Sequence, residues 1–192
     1  MGLFAWLKRS PSALGDGARK WREEWTKVVS GLDPDGAARL RSALQAQPPL
    51  APDLEVEEEM LDGLERLIAL IGELNRARLP TVETTHRVVG ADICHFSAPA
   101  SMPDDPAQPS GRLLLTARRA IFIGGPKLTT LPWHAAAQVV QGERDLLLVR
   151  TDGQNGSRFR CNTFGDALCA AAIARHLVDA ARDRRTPRGR DL

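Results

Sequence analysis

Residues 111–125, GRLLLTARRAIFIGG, constrain the fold of this chain more than any other stretch. Two short apolar runs, 113–115 and 120–123, are joined by the polar segment 116–119 and closed by Gly124-Gly125. Runs of that length, the second one β-branched and aromatic and ending in glycines, predict a β-hairpin. Strand-forming residues recur on either side of it. Val82, Thr84, Thr85, Val88, Val89, Ile93 and Phe96 predict strand structure over 81–98, with Gly90 as a bulge or bend. Residues 127–133, 138–141, 145–150 and 157–161 predict further strands. The Asp152-Gly153 and Asn155-Gly156 pairs give a strong turn signal before the last of them. Six or seven short antiparallel strands of this kind predict a meander that closes as a barrel or an orthogonal sandwich.

Helical periodicity brackets the strands. Trp21, Trp25, Val28 and Leu32 predict an amphipathic helix over about 18–30 with both indoles on one face. Asp33-Pro34 supplies a capping acceptor and a proline at the first helical position for a second helix over 34–46. It stops before Pro48-Pro49, because a residue preceding proline is driven out of the α region. The longest helix is expected over 53–78. Glu55, Glu57, Glu58 and Glu59 suit the positive end of its macrodipole, and Arg76 and Arg78 the negative end. Its seam of Met60, Leu64, Leu67, Ile71 and Leu74 covers about two heptads, short of a coiled coil, and packing against the two preceding helices is expected. Gly63 and Gly72 weaken its interior. Thr163 and Asp166 form a variant capping box for a final helix to about residue 182, whose apolar face predicts a cover for the open side of the strands.

The fold class is therefore α+β. A helical region over 1–80 precedes an antiparallel β domain over 82–182 capped by a helix, and a basic tail of four arginines and two aspartates ends the chain at 183–192. A net charge of +2 predicts no nucleic-acid partner. Three cysteines, without C-x-x-C spacing, suit a reduced, cytoplasmic setting. No apolar run approaches the ~18 residues of a membrane span.

Gly111, Arg112, Leu113, Leu114, Leu115 and Thr116, followed by Arg118, Arg119 and Phe122, resemble the G-x-L-Y-L-T-x-x-R-L-x-F signature of GRAM and bacterial pleckstrin-homology-like domains. Leu131-Pro132-Trp133 matches a strand common in that family, and the terminal helix matches its order of elements. The family tyrosine is Leu114 here, and its usual asparagine after the threonine is Ala117. The resemblance covers about 82–182 and implies a PH/GRAM-like domain that works by binding. Phosphoinositide-binding members of the wider superfamily place lysines and arginines in the loop between the first two strands. Here residues 99–110 hold Asp104 and Asp105 and one base-free run of prolines, so a phosphate clamp at that mouth is not expected.

No nucleophile elbow, phosphate-cradling loop or catalytic carboxylate pair is present, and neither an enzyme nor a cofactor is expected. The first expectation is a protein-interaction or scaffold module using the long helix or an exposed barrel edge, with its oligomeric state open. The second is a peripheral membrane contact through Phe4, Trp6 and Leu7 with Lys8 and Arg9. Arg112, Arg118, Arg119, Arg158 and Arg160 form a candidate basic patch, against the plainer reading of dispersed, solvated arginines. A metal or nucleophile site on Cys94 and His95 is the remotest reading. Adjacent residues of a strand point to opposite faces, and buried small hydrophobes are the plainer account of the cysteines.

Overall fold

The computed structural model describes residues 16–46, 54–124, 128–154 and 156–184. Its elements are α1 (Asp16–Gly31), α2 (Pro34–Gln45), α3 (Glu55–Asn75), β1 (Cys94–Ser101), β2 (Ser110–Thr116), β3 (Arg119–Ile123), β4 (Thr129–Pro132), a 3-10 turn (Trp133–Ala135), β5 (Ala136–Gln141), β6 (Asp145–Arg150), β7 (Ser157–Cys161) and α4 (Phe164–Asp183). The expected helices and the α+β class are present. The chain divides into two compact units between Leu61 and Asp62, inside α3.

The first unit is built on two tryptophans. Asp33 caps α2 by accepting from the Asp35 amide, and Pro34 occupies its first turn. Buried Trp21 donates through its indole N–H to the Leu40 carbonyl at 3.1 Å, and Trp25 to the Met60 carbonyl at 2.8 Å. Each indole thereby buries its ring without stranding its donor. Glu57, one of the acids expected merely to face the helix dipole, is 1% exposed and takes Arg22 at 2.6 Å.

In the second unit the seven strands form one antiparallel sheet in the order β4-β3-β2-β1-β7-β6-β5. Four strands and three strands meet where β1 pairs with β7 through Ala100–Cys161 and Ser101–Arg160. Inward side chains from all seven strands, among them Leu113, Phe122, Leu131, Leu146 and Phe159, share one core with Ala170, Ile173, Ala174 and Leu177 of α4. The sheet thus curls round α4, and β4 and β5 remain as its two edges. This is the order of elements that the resemblance implies.

The hairpin is β2–β3, with Leu113 opposite Phe122 and Leu114 opposite Ile121. Its apolar runs are continuous because both faces of the sheet are covered here. Leu113 and Leu115 face the main core, whereas Leu114 and Ile121 join Cys94 and Val89 in a second cluster on the outer face, flanked by Val82 and Val88. That placement corrects the expected strand over 81–98. Residues 82–93 run as turns and extended chain across the outer face, and β1 starts only at Cys94. Val82, Val88 and Val89 there signalled burial rather than pairing, whereas Ile93 is exposed. Gly90, at φ +62°, makes a turn in this segment.

β1 also runs beyond the expected start of the polar loop and includes Pro99, which shortens that loop to 102–109. The Met102 amide bonds the Pro109 carbonyl, so alternation turns the Ala100 and Ala98 backbone toward β2 and that of Pro99 away from it. Pairing with β7 begins only at Ala100, so the missing proline N–H breaks no ladder bond.

Thr116 bonds the hairpin turn twice, donating to the Arg119 carbonyl at 2.9 Å and accepting the Arg119 amide at 3.2 Å. Its own carbonyl accepts the Trp133 indole N–H at 2.8 Å. Gly111 lets two strands touch, since a Cβ there would lie 2.0 Å from the Ile123 carbonyl oxygen. Gly63 permits another close approach. A Cβ on it would meet the Gly165 nitrogen at 2.7 Å, so α3 and α4 cross backbone to backbone. Leu70 and Leu79 pack against the main core, and α4 is buried on nearly every side. The expected division near residue 80 therefore falls elsewhere. Residues 62–75 of α3 pack with the sheet unit because the N-terminal half of α4, buried without a break from Ala167 to Ala174, needs a cover on the face turned from the sheet.

Candidate functional site

The five arginines of the candidate basic patch occupy three separate places. Arg158 and Arg160, on one face of β7, both turn to buried Asp145 of β6, Arg160 at 2.9 Å and Arg158 at 3.7 Å. Asp104 of the 102–109 loop takes Arg158 at 2.5 Å. Two aspartates thus neutralise two arginines, and the acidic loop is tied to β7. The bond to Asp145 raises the Arg160 pKa above its ordinary value. Arg112 donates to the Ser97 hydroxyl at 3.0 Å on the outer face of the sheet. Both line an open groove of about 760 Å³ with Glu83, Thr84, Thr85 and His86. Arg119 bonds the Val88 carbonyl at 3.2 Å, while Arg118 projects into solvent. These two border a groove of about 590 Å³ with Trp133, His134 and Arg184.

The thiols are held in their neutral form. Cys94, Cys161 and Cys169 are all buried and unpaired to one another. Burial raises the pKa of each, and that of Cys161 to about 12. A thiolate nucleophile or metal ligand requires the opposite shift. Cys94 Sγ donates to the Phe96 carbonyl at 3.1 Å, and His95 Nδ1 lies 2.7 Å from the Pro80 carbonyl oxygen, so both serve the backbone. Among the described residues, no group of three or more His, Cys, Asp or Glu side chains is placed to hold a metal ion. Phe4, Trp6, Leu7, Lys8 and Arg9 lie outside the described residues. No described helix is long and apolar enough to cross a membrane.

The two sheet edges differ. β4 has four residues and ends in Pro132, a short edge blunted by proline. β5 has six, Ala-Ala-Gln-Val-Val-Gln, without charge or proline. Its pairing with β6 settles which backbone groups face outward. The Gly142 amide donates to the Asp145 carbonyl, so Val140 and Gln138 face β6 and Val139 and Gln141 turn their N–H and C=O away from the sheet. Among the described residues, no other element bonds those outward groups. Ala137 shows the same edge in use, since its carbonyl accepts the Arg182 guanidinium of α4.

α4 runs alongside this edge. At one end the Arg144 guanidinium, in the β5–β6 turn, lies 4.7 Å from the centroid of the Phe164 ring. At the other end stands the Arg182–Ala137 bond. Helix and strand are thus antiparallel.

No protein-family model matches the chain, and no curated protein matches it. Among solved structures it is similar to the C-terminal domain of an unknown protein from Leishmania infantum, at 11% identity and a TM-score of 0.41, over 56% of this chain and 98% of that one. It is also similar to the FERM and C-terminal domain complex of Drosophila Merlin, at 17% identity and a TM-score of 0.42, over 78% of this chain and 42% of that one. The linker-DH/PH domains of an N-terminally truncated RhoGEF give 10% identity and a TM-score of 0.41, over 84% and 54%. The chain spans about half the length of these last two. Likeness at this level transfers no function, and the α+β architecture rests on the strands and helices themselves.

Sequence reasoning anticipated an exposed barrel edge but did not single out β5, Val139, Gln141 or Arg182. The absence of charge and proline in 136–141 was readable. That this strand ends the sheet was not, because strand order is decided by pairing partners far apart in the chain.

Proposed function

We propose that this chain is a non-enzymatic, PH/GRAM-like binding module whose partner is a protein, received as an added strand on the edge of β5. The observation that carries the reading is the uncharged edge with two outward-facing residues, Val139 and Gln141, beside α4. Folded proteins ordinarily blunt such an edge with charge, proline or a covering element. An edge left open is a template for an extended peptide, whose backbone makes the ladder bonds and whose alternate side chains give selectivity. The raised thiol pKa values and the ion-paired arginines of β7 direct the reading toward recognition rather than chemistry.

Selection of a random-peptide display library on the full chain tests this. Enriched peptides are expected to protect the Val139 and Gln141 amides from hydrogen exchange. Val139→Pro, which removes an outward N–H that the β5–β6 ladder does not use, is expected to abolish capture while the circular dichroism and melting curve stay near wild type. Failure to enrich any peptide, or binding that leaves both amides exchanging freely, refutes the proposal.

A further inference from the structure

We infer that the strand received by β5 is acidic, with one of its carboxylates seated on Arg175 of α4. This rests on the reading of β5 as the docking edge and names the chemistry of what docks there.

The placement follows from helix geometry. Phe164, Arg175 and Arg182 are separated by eleven and seven residues, about three and two turns, so their side chains leave α4 on the same side. Phe164 and Arg182 reach the two ends of the β5 hairpin strand, through Arg144 and Ala137. Arg175 therefore stands on the β5 side of the helix between them. At the rise of an α-helix it lies roughly 16 Å from Phe164 along the axis. With strand residues spaced at about 3.3 Å, that is level with the middle of β5, where the Val139 and Gln141 backbone groups face outward.

Arg175 differs from its neighbours in having no counter-ion. Asp179, the nearest carboxylate along the helix, is taken by Arg182 at 3.4 Å. Among the described residues, no hydrogen bond or ion pair engages Arg175. It is exposed, yet local burial lowers its pKa, so the cation is partly desolvated without compensation. A guanidinium in that condition gains more from a carboxylate than a fully hydrated one, because part of the desolvation cost is already met. A strand laid along β5 would pass it, and every second residue of that strand points to one face of the sheet. A single Asp or Glu at a fixed register would satisfy the charge. A basic residue at that register would be repelled.

The same peptide selection, extended to two variants, tests the inference. Peptides enriched on the wild-type chain should share an Asp or Glu at one aligned position. Replacing it by Gln, or changing Arg175→Gln in the chain, should weaken binding about tenfold. Arg175→Glu should shift the preference to Lys or Arg at that position. Both losses should shrink at high salt, as expected for a surface charge pair. Peptides that protect the Val139 and Gln141 amides but show no acidic position, or a preference that Arg175→Glu leaves unchanged, would overturn the inference while leaving the docking edge in place. Enriched peptides that leave those amides unprotected would overturn both.

Discussion

Among the described residues the buried polar side chains are Glu57, His95, Thr116 and Asp145, and each meets a partner inside the fold. Glu57 is the sharpest case, because its carboxylate is 1% exposed and Arg22 is its counter-ion at 2.6 Å. Removing Arg22 strands a buried charge, whereas neutralising Glu57 removes the charge as well. Arg22→Ala should therefore cost about 3 kcal/mol of stability in the first unit, and Glu57→Gln clearly less. Urea midpoints of the two variants check the order. Cys161 supplies a pH dependence whose sign follows from its burial. Its thiol titrates at about 12 in the fold against 9.0 for a free thiol, so folding favours the neutral form. That contribution is complete below pH 9 and disappears as pH rises from 9 toward 12, at up to about 1.4 kcal/mol per pH unit. Denaturation midpoints between pH 8 and 10.5 should fall more steeply for the native chain than for Cys161→Ala. A pH slope unaffected by that substitution would assign the effect to another group.

Between elements, close contact decides more than propensity does. Gly63 is a weak residue for a helix interior on propensity grounds. Its position is explained by Gly165, whose nitrogen lies 2.7 Å from where a Cβ on Gly63 would sit. Gly63→Val should destabilise the second unit by about 1–3 kcal/mol through forced separation of α3 and α4, although valine is the better helix former. Gly72, which has no neighbour within 4 Å of such a Cβ, should gain stability when replaced by alanine. Thermal melts of the two variants should move in opposite directions. The β2–β3 hairpin was legible from its residues because two apolar runs, a tight polar connection and closing glycines all act locally. The segment 82–93 was not. Val82, Val88 and Val89 have the composition of a strand, and only the outer-face cluster around Leu114 and Ile121 shows that burial, rather than pairing, selected them.

For the molecule as a whole, the consequence lies in where the chain can be cut. A boundary near residue 80 separates helices from strands in the sequence, yet residues 62–75 pack with the sheet unit through Gly63–Gly165, the Arg66–Asp166 ion pair at 3.3 Å and Leu70 against the core. A chain beginning at residue 82 should uncover the apolar back of α4 and aggregate or bind a hydrophobic dye. A chain beginning at residue 54 should melt cooperatively. Cooperative unfolding of both truncated chains would show that α3 is dispensable to α4. By itself the sequence determined the helices, their caps, the hairpin and the α+β class, because capping, periodicity and turn formation are settled by residues a few positions apart. Tertiary structure alone decided that the arginines of β7 pair with Asp145, that α3 meets α4 at Gly63 and Gly165, and that β5 ends the sheet. Each of those depends on which distant surfaces exclude water from one another, a property of the packed chain that no local pattern records.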